Sequence, residues 1–326
     1  MSKRIAVTLI AALAALAAVN AQVALATPTA TNGRIVYTHF VPALDDTVLR
    51  TVNPDGSQVR RVLPFALECP HWSADGTRIA TCGSPNGGAA VIINRQTGGY
   101  RELPMPDPTL FTACPVWSPD GRRLACEGFG QTDPRRNGIY TIRSSDGKGL
   151  RRMTRNPGGD DLPGSYSPDG KRLAFARFDA NGDGVGIFVV NVDGSGLHRI
   201  TPLGTLATSG DPGVDWSPQG NQIVFSRHVT ADLHSSIWVV HANGSGLHEV
   251  SVLPASMCGG PNADPTALGC FNPRWSPDGT MIVFGRGSDE AGRDIYTVRR
   301  DGTGVQQITY GRDDSDPDWG THPLIR

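Results

Sequence analysis

The sequence predicts an all-β fold, a six-bladed β-propeller of four-stranded antiparallel blades. An aromatic residue followed by a Ser-Pro-Asp-Gly-type turn and a short apolar strand recurs along the 326-residue chain. The recurring aromatic residues lie 44 to 59 positions apart, a spacing typical of one propeller blade. No segment shows the pattern of an amphipathic helix. The aromatic residues are Trp72, Trp117, Tyr166, Trp216, Trp275 and Trp319.

The first 26 residues have the composition of a signal peptide. Lys3 and Arg4 precede the apolar stretch IAVTLIAALAALAA, and small residues allow cleavage after Ala26. Cleavage after Ala21 is the alternative. An uncleaved membrane anchor is disfavoured because polar residues interrupt the apolar run. We therefore expect a periplasmic or secreted protein with no stable membrane span once the signal is removed.

The mature chain is close to electrically neutral. Removing residues 1–26 leaves 28 basic and 31 acidic side chains, a net charge of −3. A nucleic-acid-binding protein would carry a basic surface, so the charge excludes that class. We expect a monomer without a nucleic-acid partner.

Residues 27–326 are predicted to form a single propeller domain. In the Ser-Pro-Asp-Gly copies, Pro presets the turn dihedral, Asp binds nearby backbone, and Gly adopts the positive φ that closes the hairpin. Three strands precede the first copy and one follows the last turn, so the C-terminal strand should complete blade 1 and close the ring. The predicted limits are 33–63 plus 315–320 for blade 1, 69–103 for blade 2, 114–153 for blade 3, 163–201 for blade 4, 212–251 for blade 5 and 271–309 for blade 6.

Six cysteines form three local pairs in the sequence. Two pairs each flank one hairpin turn, where facing Cβ atoms lie close enough for a disulfide. The third pair brackets the long connection CGGPNADPTALGC, and no metal-binding spacing such as Cys-x-x-Cys is present. An exported protein can keep its disulfides oxidised. The predicted disulfides are Cys69–Cys82, Cys114–Cys126 and Cys258–Cys270.

The segments YSPDGKRLAF and GIFVVNVDGSGLHRIT resemble the propeller repeat of the TolB family, also called the PD40 or WD-repeat-like repeat. The resemblance covers residues 33–320 and implies a periplasmic propeller that contacts other proteins. Proteins of that family carry a separate domain ahead of the propeller, which we expect this chain to lack. Similar repeats also occur in propellers attached to prolyl-oligopeptidase-type peptidases.

The two ends of the predicted blades differ in sequence. The face with the turns between strands one and two and between strands three and four, the turn face, repeats itself. The opposite face, the loop face, carries the blade-to-blade connections and the loops between strands two and three, and these vary from blade to blade. Variable loops on a rigid frame are where recognition usually occurs, so we expect binding at the channel mouth of the loop face.

An arginine recurs eleven residues after the aromatic residue in three blades, with an aspartate near the start of a first strand. These charges are predicted to form ion pairs between blades, a polar ring around the channel mouth, or both. The candidate binding residues are Arg177, Arg227, Arg286, Asp161, Asp211 and Asp316.

The stretch DANGDG resembles the beginning of a calcium-binding loop. Asp179, Asn181 and Asp183 alternate in a way that lets three side-chain oxygens converge. The twelfth position is Val190 rather than a bidentate Glu, and the same residues suit an ordinary hairpin loop. Calcium is therefore a candidate ligand, and no other cofactor is expected.

The sequence contains no Gly-x-Ser-x-Gly elbow, and its eight histidines are scattered. We predict an exported, non-catalytic TolB-like propeller that acts as a scaffold in the cell envelope and binds an envelope protein or peptide. The alternative is a propeller that binds a carbohydrate or small ligand, with lyase or hydrolase activity at the channel mouth.

Overall fold

The computed structural model of the protein describes residues 30–203, 212–228, 235–250, 252, 257–258, 268–288, 292–311 and 313–325. These residues form six four-stranded antiparallel sheets, which confirms the predicted propeller. One short 3-10 helix spans Pro134–Arg136. Within these ranges no helix has the length and apolar character needed to cross a membrane. The signal peptide predicted at residues 1–26 lies outside them.

Each blade uses four strands that follow one another in the chain, except blade 1. Blade 1 contains β1 (Ile35–Val41), β2 (Asp46–Val52) and β3 (Arg60–Arg61). Blade 2 contains β4 (His71–Trp72), β5 (Arg78–Ala80), β6 (Ala90–Asn94) and β7 (Tyr100–Leu103). Blade 3 contains β8 (Leu110–Trp117), β9 (Arg123–Gly130), β10 (Gly138–Arg143) and β11 (Arg151–Arg152).

The second half of the chain repeats this order. Blade 4 contains β12 (Asp160–Tyr166), β13 (Arg172–Phe178), β14 (Gly184–Asn191) and β15 (His198–Arg199). Blade 5 contains β16 (Asp215–Trp216), β17 (Gln222–His228), β18 (Ser235–His241) and β19 (His248–Glu249). Blade 6 contains β20 (Gly269–Trp275), β21 (Met281–Ser288), β22 (Gly292–Arg299) and β23 (Gln306–Gln307).

The last strand, β24 (Asp314–Trp319), completes blade 1. It pairs antiparallel with β1, and Trp319 lies opposite Ile35. The first strand of every blade contacts the first strand of the next blade, from β4 through β24 and back to β4. The ring is therefore closed as predicted, and the first strands surround the central channel.

The repeated turn is held together by its own side chains. In blade 3 the Ser118 hydroxyl donates to the Asp120 carboxylate at 2.6 Å and accepts from the Arg123 backbone amide at 2.9 Å. Gly121 closes the turn with a φ of 66°, a conformation that glycine adopts without strain. The same bonds recur in blades 2, 4 and 6, which explains why these residue types repeat.

The recurring aromatic residues form the cores between blades. Six clusters of buried apolar side chains lie at the six interfaces between neighbouring blades, and each contains the aromatic residue of one blade. All six aromatic residues are at most 8% exposed. Burial of large aromatic surface dominates such interfaces, so the repeated aromatic residue joins each blade to its predecessor.

Disulfides join the cysteines in the predicted pairs. The Cα–Cα distances are 5.3 Å for Cys69–Cys82, 3.9 Å for Cys114–Cys126 and 5.2 Å for Cys258–Cys270. The first links the residues just before β4 to those just after β5 in blade 2, and the second cross-links β8 and β9 in blade 3. The third ties the connection from blade 5 to the first strand of blade 6.

Candidate functional site

One charged pair of the loop face lies inside blade 4. Arg177 and Asp161 face each other on β13 and β12. The Arg177 Nε and Nη2 atoms donate to the two carboxylate oxygens of Asp161, both at 2.7 Å. The expectation of an ion pair between blades is wrong for these residues, because their strands are neighbours in one sheet.

Buried neighbours hold the Asp161 carboxylate in place. Its exposed fraction is 1%. The Thr154 hydroxyl donates to one carboxylate oxygen and the Asn156 amide to the other, the latter at 3.1 Å. Hydrogen bonds to both oxygens offset the cost of burying the charge. The pair is therefore a fixed part of the blade at the loop-face end of the channel.

Blade 1 has a histidine–aspartate pair at the equivalent position. His39 Nδ1 lies 2.7 Å from Asp314 Oδ1, and these residues face each other on β1 and β24. The prediction placed Asp316 at this position, but Asp314 precedes Trp319 by five residues, as Asp161 precedes Tyr166. The equivalence was missed because a histidine replaces the arginine.

Asp316 lies deeper in the channel and accepts a hydrogen bond from the Asn272 amide. Cys69, Asn272 and Asp316 each stand three residues before the aromatic residue of their blade, with left-handed φ values of 46°, 50° and 48°. Left-handed backbone is costly for such residues and concentrates at functional sites. A cavity of about 20 Å³ borders all three, room for about one water molecule.

The other two predicted arginines stack on aromatic rings of their own blades. The Arg227 guanidinium lies 4.7 Å from the Trp238 ring centroid, and that of Arg286 lies 5.6 Å from the Tyr296 centroid. Arg286 also donates from Nε to the Met257 carbonyl at 2.6 Å. Asp211, the predicted partner of Arg227, lies outside the described residues.

The candidate calcium residues form the hairpin loop between β13 and β14. The Asp179 carboxylate accepts hydrogen bonds from the backbone amides of Asn181 and Asp183, at 2.8 and 3.1 Å. The described part of the chain contains no group of three or more His, Cys, Asp or Glu residues arranged to hold a metal. Calcium binding stays a prediction, and the Asp179 carboxylate already has a role within the loop.

The residues directly before the recurring aromatic residues form a second ring within the channel, which the sequence analysis missed. Asp318 accepts from the Trp72 backbone amide at 2.6 Å, and Asp215 accepts from the Trp275 backbone amide at 2.8 Å. Each bond joins one blade to the next. Ser165 does the same for blade 5, accepting from the Trp216 amide at 2.6 Å. Because the residue type at this position differs from blade to blade, the sequence shows no recurring residue there.

Two basic side chains complete this channel ring. Arg274, 5% exposed, donates to the Val214 carbonyl at 2.9 Å and lies 3.4 Å from His71 Nε2. Burial raises the pKa of Asp318 to about 6; the Arg274 charge opposes this shift and the Asp215 charge adds to it. Burial also raises the pKa of Asp215 and, together with Arg274, lowers that of His71. Among the described residues, the channel centre therefore has one permanent cation, Arg274, and carboxylates that protonate more readily than usual.

Comparison with known proteins places this architecture in a family. A family model described as the TolB beta propeller domain, PD40, matches residues 29–321. The chain belongs to this TolB β-propeller family. No curated protein sequence matches it.

Solved structures share the fold of this TolB-family propeller. TolB from Acinetobacter baumannii has a TM-score of 0.67 at 21% identity, covering 88% of this chain and 66% of that chain, just under two thirds. A putative TolB from Agrobacterium tumefaciens has a TM-score of 0.62 at 21% identity, covering 90% and 93%. An oligogalacturonate lyase from Vibrio parahaemolyticus has a TM-score of 0.52 at 14% identity, covering 88% and 83%. These likenesses show the fold alone.

We expect Asp318→Asn to change the pH dependence of this propeller's stability. The folded-state pKa is raised from 3.8 to about 6, so wild type loses free energy of unfolding as pH rises through this window, whereas the neutral amide does not. The shift corresponds to up to about 3 kcal/mol. Urea unfolding below and above this window measures the effect, which should favour the variant at the higher pH. A difference between the two proteins that is the same at both pH values would contradict the assignment.

Proposed function

We propose that this protein is a non-catalytic scaffold of the cell envelope that binds a partner protein or peptide at its loop face. One observation carries the proposal. Among the described residues, the three most exposed large apolar side chains are Tyr310, Leu203 and Leu44, at 77%, 69% and 56%. All three lie on the loop face, in blade connections or in a loop between strands two and three. Large apolar side chains left in solvent on one variable face are candidate contacts for a protein partner.

The charged pairs of the loop face favour recognition over acid–base chemistry. The Asp161 carboxylate is held by the Arg177 guanidinium and the Asp314 carboxylate by the His39 imidazole, both within hydrogen-bonding distance. A carboxylate fixed in this way is a rigid polar group that a partner with complementary charge can recognise. The disulfides are consistent with an exported protein, since disulfides persist in oxidising compartments.

The test is capture of a partner from native envelope extract with the full chain, followed by titration of the purified partner. The loop-face variant is Leu44→Ser combined with Tyr310→Ser. The matched control is Tyr100→Ser combined with Leu324→Ser, two exposed apolar residues (51% and 48%) away from the loop face. We expect the loop-face variant to weaken binding at least about tenfold and the control to leave it unchanged. Equal binding by both variants, or no specific partner in the extract, would overturn the proposal.

The alternative is a carbohydrate-binding or lyase function, which is favoured by the likeness to an oligogalacturonate lyase. The channel centre brings His71, Arg274 and Asp316 to one cavity, but that cavity measures only about 20 Å³. A sugar ring needs far more space, since ligand pockets usually exceed about 300 Å³. Incubation with oligogalacturonate, followed by ultraviolet absorbance of unsaturated products, tests the alternative directly.

A further inference from the structure

A cavity of about 550 Å³ lies between blades 3 and 4 on the turn face, away from the proposed partner surface. The Ser-Pro-Asp-Gly turns of the two blades form one side of it, and Tyr166 lines its inner part. Its size is within the usual range for small-ligand pockets, about 300 to 1,000 Å³.

The interface around this cavity departs from the repeat in two ways. Tyr166 replaces the tryptophan of the other five blades, so the second ring of an indole is missing. At two other interfaces an arginine from the preceding blade covers that ring: Arg78 lies 4.5 Å from the Trp117 centroid and Arg172 lies 4.7 Å from the Trp216 centroid.

The corresponding arginine of blade 3 is drawn away from the cavity centre. Arg123 donates to the Thr141 hydroxyl from Nε at 2.9 Å and from Nη2 at 2.7 Å, and Nη2 also reaches the Gly149 carbonyl at 2.7 Å. Its Nη1 makes no hydrogen bond to the described residues. Arg123 therefore keeps two N–H donors unused at the cavity wall, where Arg151 contributes a second, exposed guanidinium.

The Tyr166 hydroxyl opens into the cavity. The residue as a whole is 8% exposed, and its hydroxyl makes no hydrogen bond within the described part of the chain. Burial raises the pKa of Tyr166, so the hydroxyl stays protonated and can donate. It is therefore available to water or to a ligand in the cavity.

The acidic residues at the rim do not supply that partner. The Asp120 carboxylate accepts from the Ser118 hydroxyl and the Arg122 amide, and Asp169 accepts from the Ser167 hydroxyl and the Lys171 amide. In each case both hydrogen bonds fall on one carboxylate oxygen, Oδ1, and stay within the turn. Away from these rim carboxylates, the unused hydrogen-bonding groups of the cavity are donors, on Arg123 and Tyr166.

We propose that this cavity binds a carboxylate attached to an apolar group. The Tyr166 hydroxyl and the Arg123 and Arg151 guanidinium groups donate hydrogen bonds to the carboxylate. Hydrogen bonds of this kind are strengthened by the charges of their partners. The apolar group packs against Met153 and Val192, which also line the cavity. A small organic acid and the C-terminus of a peptide share this chemistry.

The experiment follows methyl NMR signals of the full chain labelled at its five methionines. Met153 reports on the cavity, and the other methionines serve as internal references. The probes are phenylacetate, its neutral amide, and the dipeptide Gly-Phe with a free or an amidated C-terminus. We expect saturable shifts of the Met153 signal with an acid and at least about tenfold weaker binding of the matching amide. The acid that binds more tightly identifies the source, and equal binding of acid and amide would overturn the proposal.

Two variants separate the cavity from the rest of the fold. Tyr166→Trp restores the residue of the other blades and should abolish binding while the protein stays folded. Arg151→Gln should weaken binding about tenfold, whereas Arg300→Gln, an exposed arginine beside another cavity between blades 5 and 6, should not. Binding that persists in Tyr166→Trp would contradict the site. Capture of a partner at the loop face should not respond to Tyr166→Trp, which keeps this test independent of the proposed function.

Discussion

Deletion of residues 313–326 is expected to abolish cooperative folding of the propeller. The deletion removes β24, leaving the edge of β1 unpaired, and it removes Trp319 from the core between blades 6 and 1. It also removes the hydrogen bond from the Trp72 amide to Asp318. Loss of one buried tryptophan alone costs about 3 to 5 kcal/mol, comparable with the whole stability of a small domain.

Circular dichroism and calorimetry of the truncated and full chains measure this effect. The control is Leu324→Ser, which changes one exposed side chain beyond β24 and should change the free energy of unfolding by less than about 1 kcal/mol. A chain lacking residues 313–326 that melts like the full chain would show that β24 does not close the ring.

Replacement of Arg274 by methionine is expected to destabilise the protein by about 3 kcal/mol at neutral pH. Arg274 is the cation whose charge favours the ionised forms of both Asp215 and Asp318. Without it, two buried carboxylates face each other's charge and the Val214 carbonyl loses its donor. Removing one member of a buried charged group leaves the other charges uncompensated, and this strongly lowers the free energy of unfolding.

The loss should shrink in mild acid, because protonation neutralises the carboxylates that Arg274 no longer balances. Adding Asp215→Asn and Asp318→Asn to Arg274→Met should restore much of the stability at neutral pH. Urea unfolding gives these free energies, and Arg300→Met serves as the control because that arginine is exposed. Equal destabilisation at both pH values, with no recovery in the triple variant, would exclude an electrostatic role.

The fold was predictable because its determinants repeat. The recurring aromatic residue and the recurring turn give the period of the repeat, the order of the strands and the number of blades. The strands left over at the two ends of the chain imply that the ring is closed. The disulfides were predictable because each pair is local. Three predicted first strands are longer than expected: β8, β12 and β20 begin at Leu110, Asp160 and Gly269. Pairing continues there through polar residues, as between Asp161 and Arg177.

The site was less predictable because its residues share a position in the blades but not a residue type. His39 takes the place that Arg177 holds in blade 4, so a search for recurring arginines overlooks it. The channel ring places an acid, an imidazole, a hydroxyl and a guanidinium at one structural position. The cavity beside Tyr166 lies where the sequence departs from the repeat. A search for what the blades have in common does not point to such a position.

Within the part of the chain that the structure describes, every core cluster is shared by two neighbouring blades and none belongs to a single blade. A lone blade would therefore expose both apolar faces and could not persist as a folding intermediate. The ring has no preferred starting point beyond its present termini, so circularly permuted chains cut at another blade connection can form the same contacts. By the same logic, the number of blades can change during evolution only by adding or losing a whole blade, with the ring closed anew each time.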